Sequence, residues 1–261
     1  MKTKTWLTSA TIVLGLALSQ TATATFHLAQ IEQVAGGVNG DTTAQAVQIR
    51  LRISGENIVS GAKLLAFDAT GANPITVVDF NTDVANGAAG SRILIATPSF
   101  ISSTDNTASP DFMMTNPIPA AYLTAGSLAY ERDTGEVLWR LSWGGASYTG
   151  ATTGTVDNDA DGEFAPVYGS ALPSAGLKAL LFQGTTSDPS TNNAADYSVT
   201  SGAAVFTNNN GDVFNVTGPT ASTPIPTVPS GAPVGGPLGL GVLAAALFAV
   251  AALALRRRGA H

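Results

Sequence analysis

Val47, Ile49, Leu51 and Ile53 alternate strictly with Gln48, Arg50, Arg52 and Ser54. Successive side chains of an extended chain point to opposite faces, so this period of two gives a strand one apolar face and one polar face. The polar face is expected to be wet. Val137, Trp139, Leu141 and Trp143 repeat the pattern against Leu138, Arg140 and Ser142. Shorter runs at residues 26–34, 62–68, 75–80, 92–97, 127–131, 177–182 and 203–207 are rich in β-branched or aromatic residues, and Gly, Asn, Asp and Pro separate them. Between residues 25 and 217 no apolar repeat of 3.6 residues lasts three turns, although 119–123 suits a single helical turn. A parallel α/β fold would need a helix at every crossover. The expected fold class is therefore all-β, a sandwich or barrel of short strands. Asn209-Asn210-Gly211-Asp212, lying between Val205-Phe206 and Val213-Phe214, predicts a closing hairpin, because Asn-Gly tolerates the positive φ of tight turns.

Both ends of the chain are apolar and stand apart from this pattern. Lys2 and Lys4, the apolar stretch 6–18 and the small residues Ala22-Thr23-Ala24 read as a signal peptide, 1–24, cleaved after Ala24. Residues 238–255 form an unbroken apolar run. As a helix it would be about 27 Å long at ~1.5 Å per residue, close to the hydrocarbon thickness of a bilayer. Arg256, Arg257 and Arg258 follow at once, at the head of a short tail, 256–261, and place that end in the cytoplasm by the positive-inside rule. Between domain and helix, residues 218–237 carry prolines at 219, 224, 226, 229, 233 and 237 among Ser, Thr and Gly, the composition of an extended linker.

The order small-residue motif, helix, arginine cluster resembles the C-terminal protein-sorting signals of exported Gram-negative bacterial proteins. Gly235 and Gly236 match the Gly-Gly tails read by rhomboid-like sorting proteases (rhombosortases). Ile225-Pro226-Thr227-Val228 is similar to the Ile-Pro-Thr-Leu form of exosortase tails, and no Pro-Glu-Pro triplet is present. The resemblance implies a membrane-anchored precursor whose helix is removed by a C-terminal sorting protease as the domain passes to the cell surface or outer membrane. A permanent single-pass anchor would use the same apolar run. Within the domain, Gln30-Ile31-Glu32-Gln33-Val34, the turn at 36–41, the strand at 47–52 and the unit at 60–71 resemble the start of a bacterial lamin-tail-like domain. That likeness implies an immunoglobulin-like β-sandwich over 25–217.

This exported part carries seven basic and all eighteen acidic side chains, a net charge of −11. Such a surface repels nucleic acid and anionic lipid and suits cations or solubility. There is no cysteine, so core packing, with or without a metal, has to stabilise the domain without disulfides.

The densest chemistry is Asp157-Asn158-Asp159-Ala160-Asp161-Gly162-Glu163. Carboxylates at alternate positions before a Gly match the first half of a calcium loop. The expected ligands are the side chains of Asp157, Asp159 and Asp161, with Glu163 through its carbonyl or side chain; an acidic solvated turn is the alternative reading. Position twelve, where a bidentate Glu would close the loop, is Tyr168. Trp139, Trp143, Tyr148, Phe164 and Tyr168 gather around this loop. The two Trp sit on the apolar face of a strand and read as core, leaving Tyr148 and Tyr168 as candidate platforms for an extracellular polysaccharide. His27 is the sole histidine of the exported part, and Gly145-Ala146-Ser147-Tyr148-Thr149 lacks the last Gly of a nucleophile elbow. Two carboxylates could still serve a glycan hydrolase, and a surface hydrolase of glycans or phosphoesters is the rival reading. The sequence points first to a non-catalytic surface or matrix protein, adhesive and calcium-stabilised.

Overall fold

A computed structural model describes residues 26–189 and 192–218. The signal peptide 1–24, the linker beyond Gly218, the apolar run 238–255 and the tail 256–261 lie outside the described residues, and with them Gly235, Gly236, Arg256, Arg257 and Arg258.

The described chain is all-β. Its strands are β1 (Ala29–Ala35), β2 (Ala46–Leu51), β3 (Ala62–Phe67), β4 (Ile75–Asp79), β5 (Arg92–Ala96), β6 (Phe112–Met113), β7 (Gly126–Arg132), β8 (Val137–Trp143), β9 (Leu180–Phe182), β10 (Tyr197–Val199), β11 (Val205–Thr207) and β12 (Val213–Asn215). Helix is confined to single turns. α1 (Pro98–Ile101) starts where Thr97 caps the Phe100 N–H and Pro98 presets the first turn. α2 (Asn193–Asp196) is capped by Asn192. A 3-10 turn at Ala120–Tyr122 occupies the one segment the sequence allowed to coil.

One sheet runs β10-β9-β1-β2-β5-β6, a second β4-β3-β7-β8, and β11 with β12 forms a separate hairpin. The two larger sheets share one apolar interior. Ile31, Val47, Ile49 and Ile95 from the first meet Leu64, Leu128, Leu141, Trp139 and Trp143 from the second. Both Trp side chains are fully buried, as their strand face predicts. Trp139 packs edge-on against Phe182 with ring centres 5.3 Å apart.

A second apolar cluster lies on the other side of the six-stranded sheet. There Phe206 and Phe214 of the hairpin and Phe100 of α1 cover Ala35, Ala46, Leu94 and Ala96. This explains why β5 reads Ile93-Leu94-Ile95-Ala96 without alternation: Ile93 and Ile95 face one core and Leu94 and Ala96 the other. The hairpin turns at the predicted place, with Gly211 at φ 89° and Phe206 opposite Phe214.

The expected wet face of β2 is covered. Gln48 and Arg50 are buried, as are Gln30, Glu32 and Gln33 beside them on β1. The hairpin and the segment 184–188 close over them: Gln48 Oε1 accepts the Thr207 N–H at 2.6 Å, and Arg50 donates to the Gly184 carbonyl at 2.8 Å. Alternation distinguishes the chemistry of two faces but does not reveal what a distant segment lays over the polar one.

Candidate functional site

The acidic loop is built around two buried side chains. Asn158 is fully buried, and its amide donates to the carbonyls of Leu138 (2.9 Å) and His27 (2.7 Å), fastening the loop to β8 and to the approach to β1. Arg52 donates to Asn158 Oδ1 at 3.0 Å from the far side. Asp159 is 1% exposed and turns inward. Its Oδ1 accepts the N–H groups of Asp161 (3.0 Å), Gly162 (3.0 Å) and Glu163 (3.3 Å), while Gly162 at φ 74° lets the chain turn around it. Its Oδ2 is buried without a hydrogen-bond partner. Asp161 accepts the Glu163 N–H at 3.0 Å, and Glu163 accepts the Ala165 N–H at 3.1 Å.

Burial pushes the Asp159 carboxyl above the ordinary carboxylate value, and the adjacent Asp161 side chain pushes it the same way. Asp161 is held below that value, chiefly by its contact with the Asp159 side chain. The loop therefore brings Asp159 and Asp161 together. Asp157 is turned elsewhere, its Oδ2 3.7 Å from the Arg132 guanidinium. Among the described residues no three His, Cys, Asp or Glu side chains form a group that could hold a metal ion.

The two tyrosines part company. Tyr148 is 5% exposed, with its hydroxyl 2.8 Å from the Ala151 carbonyl and 2.9 Å from Ser127 Oγ, so it props the loop after β8 and presents no platform. The reason is local. Gly150 lies against Gly71 so closely that a Cβ there would sit 2.5 Å from the Gly71 Cα, and this contact folds the loop, with Tyr148, onto the second sheet. Tyr168 stays half-buried, bridged to Trp143 through the backbone and packed against the main core.

Other ionisable groups displaced by burial are tied into the fold. Asp111 is raised by burial yet accepts the N–H groups of Leu94 (2.7 Å) and Asn209 (2.8 Å), which locks the hairpin onto β5. Glu131 is raised by burial and lies 3.8 Å from Lys63. Apart from that set, His27 Nδ1 lies 3.5 Å from Glu56 just before β1.

A feature the sequence reading missed sits on the outer face of the first sheet. β1 is bulged between Ile31 and Gln33, so Ile31 and Val34, three residues apart, both reach the same core. The bulge turns Gln33 onto the outer face, where it is 3% exposed and its Nε2 has no partner. The legible signal was the pair Glu32-Gln33 between two apolar residues, a break in the period of two. Gln33 opposes Leu181 of β9, and Leu181 opposes Ser198 of β10, so the three form one row across the strands.

That row floors a groove of about 400 Å³, walled by Gln183, Thr200 and Val205. A second groove, about 470 Å³, adjoins it through the shared Val199 and is lined by Tyr168, Leu172, Pro173 and Lys178. Among the residues lining the two, Lys178 alone is charged. No protein-family model matches the chain, and no curated protein is similar to it.

Proposed function

We propose that the chain is an exported, non-catalytic protein of the bacterial cell surface or extracellular matrix, with an adhesive immunoglobulin-like domain related in plan to lamin-tail-like domains. What supports this reading is the agreement between the domain's packing and the ends assigned from sequence. β1 begins at Ala29, just past the signal-peptide site. At the other end the Thr217 and Gly218 N–H groups bond to the Ser103 carbonyl at 3.0 and 3.1 Å, directly before the proline-rich linker. Signal peptide, folded domain, linker and apolar tail then follow one another in order, domain and linker sharing only Gly218. In this reading a sorting protease removes the tail beyond Gly235-Gly236 and releases the domain to the surface.

Calcium enters as a stabiliser of the acidic loop. The residues that would hold it are Asp159, through the unpartnered Oδ2, and Asp161 beside it. A hard cation with oxygen preference suits that donor pair and would neutralise two adjoining carboxylates.

Mass spectrometry of the protein recovered from the cell surface tests the assignment. A mature C-terminus upstream of Leu238 is expected. Recovery of intact protein ending in Arg256-Arg257-Arg258-Gly259-Ala260-His261 would reduce the tail to an anchor, and a cytosolic, untrimmed chain would overturn the reading.

A further inference from the structure

We propose that the outer face of β9 and β10 is a binding site for a neutral polysaccharide, with Gln33, Leu181 and Ser198 as its floor. The inference rests on reading the chain as an adhesive surface protein and names what that protein would hold.

The floor is an amide, an isobutyl group and a hydroxyl in register on three adjacent strands. Gln33 is buried and its Nε2 has no partner, although an amide nitrogen brings two donors. A buried donor left unpaired is costly, so a small shift of the Gln33 amide toward the groove it lines would let a ligand acceptor supply the missing partner. Leu181 is half-buried between the two polar groups. A sugar ring, apolar across its C–H face and hydroxylated at its rim, matches that row.

Three further observations restrict the ligand. Ser198 pairs with Leu181 and Val199 with Leu180, so the row itself offers side chains, and of its three strands only β10, which ends the sheet among the described strands, leaves an edge on its far side. Recognition through side-chain amides and hydroxyls fits a hydroxyl-rich ligand over the row, whereas a peptide strand would add along the far edge of β10. The first groove has no charged lining, and the net charge of −11 from eighteen acidic and seven basic groups disfavours anionic polymers. Each groove falls within the size range of small-molecule sites, and Val199 lines both. The first groove thus suits a short run of sugars, and Tyr168 lines the second.

Full-length protein in mild detergent would be run through native gels cast with a neutral glucan, dextran or laminarin, and with alginate as the anionic counterpart. Retardation by a neutral glucan and not by alginate is expected. Ser198→Trp, which fills the groove from an exposed position, should weaken retardation at least tenfold. Val199→Arg, at a residue that lines both grooves, should do the same and serves if the first variant folds poorly. Thr134→Trp, on the exposed β7–β8 turn, should match the parent. Absence of retardation by both glucans, equal retardation by alginate, or full retardation of both groove variants would overturn the proposal. Surface labelling of cells separates the two readings: a surface-exposed chain that ignores glucans sinks this site alone, whereas a glucan-binding chain confined to the cytosol sinks the export reading alone.

Discussion

Arg50 and Arg92 stand directly opposite each other on β2 and β5, and both guanidiniums close on the same carboxylate, Glu32, at 2.9 and 2.8 Å. Like charges at opposing strand positions repel, so Glu32 is what allows the buried Arg50 and the partly exposed Arg92 to stand side by side. Gln48 Nε2 donates to the same carboxylate at 2.7 Å, and Arg50 also reaches Gln30 Oε1 at 2.8 Å. The cluster forms the polar counterpart of the apolar interior on the sheet's other side.

Glu32→Ala should therefore cost far more than an average polar substitution. It leaves the buried Arg50 without its carboxylate and facing Arg92. Removing one partner of a buried ion pair costs about 3–5 kcal/mol, with the lower end expected because solvent reaches Arg92, whose side chain is 37% exposed. Urea unfolding followed by Trp fluorescence would measure it, as Trp139 and Trp143 are both fully buried. A loss below about 1 kcal/mol, the scale of an exposed pair, would mean that water reaches this cluster.

The same cluster marks how far the sequence could be read. β2 and β8 were legible because an alternating strand against a large core leaves a period of two. β10 was not, since Tyr197-Ser198-Val199 is short and takes its place from pairing with β9. The polar side of β2 was misjudged as wet because Thr207 and Gly184, which cover it, lie 159 and 134 residues away from their partners. In the acidic loop Asp159 and Asp161 lie together, whereas Asp157 faces Arg132 at the end of β7, a contact that no local spacing encodes.

Two buried tyrosines should respond in opposite senses to loss of the hydroxyl. Tyr130 is fully buried with its hydroxyl unpartnered, so Tyr130→Phe should raise stability by about 1 kcal/mol. Tyr197 accepts the Trp139 indole N–H at 2.8 Å and donates to the Ile31 carbonyl. Tyr197→Phe strands both partners and should cost about 2 kcal/mol. Thermal melts of the two variants side by side test the contrast, and equal shifts would refute it.

Two glycines at positive φ should differ for a steric reason. At Gly211, φ 89°, an added Cβ meets nothing within 4 Å, so Gly211→Ala should cost only the left-handed strain, about 1–2 kcal/mol. At Gly144, φ 99°, the Cβ would lie 2.4 Å from the Ala125 Cβ. Gly144→Ala adds overlap inside a packed region and should cost about 3 kcal/mol or more. A smaller loss at Gly144 than at Gly211 in chemical denaturation would contradict the packing described for the end of β8.

Asp159 gives the domain a pH signature of uncommon sign. A carboxyl whose folded value lies above its unfolded one favours the folded state fully below the unfolded value, about pH 4, and that contribution is lost as pH rises through the folded value. Asp161, held below the ordinary value, acts oppositely: its contribution is present above about pH 4 and fades as pH falls through its folded value. Asp159→Asn keeps an oxygen for the three N–H donors, removes the titrating group, and offers Asp161 an amide donor in place of a second carboxylate. The variant should melt above the parent at pH 7, and the difference should close as pH falls below about 4. Millimolar calcium tests the loop's cation reading in the same melts, because a ligand bound only to the native state raises its stability. The parent should gain with calcium and lose the gain to a chelator, while Asp159→Asn stays flat. A parent unmoved by calcium would remove the cation from this loop.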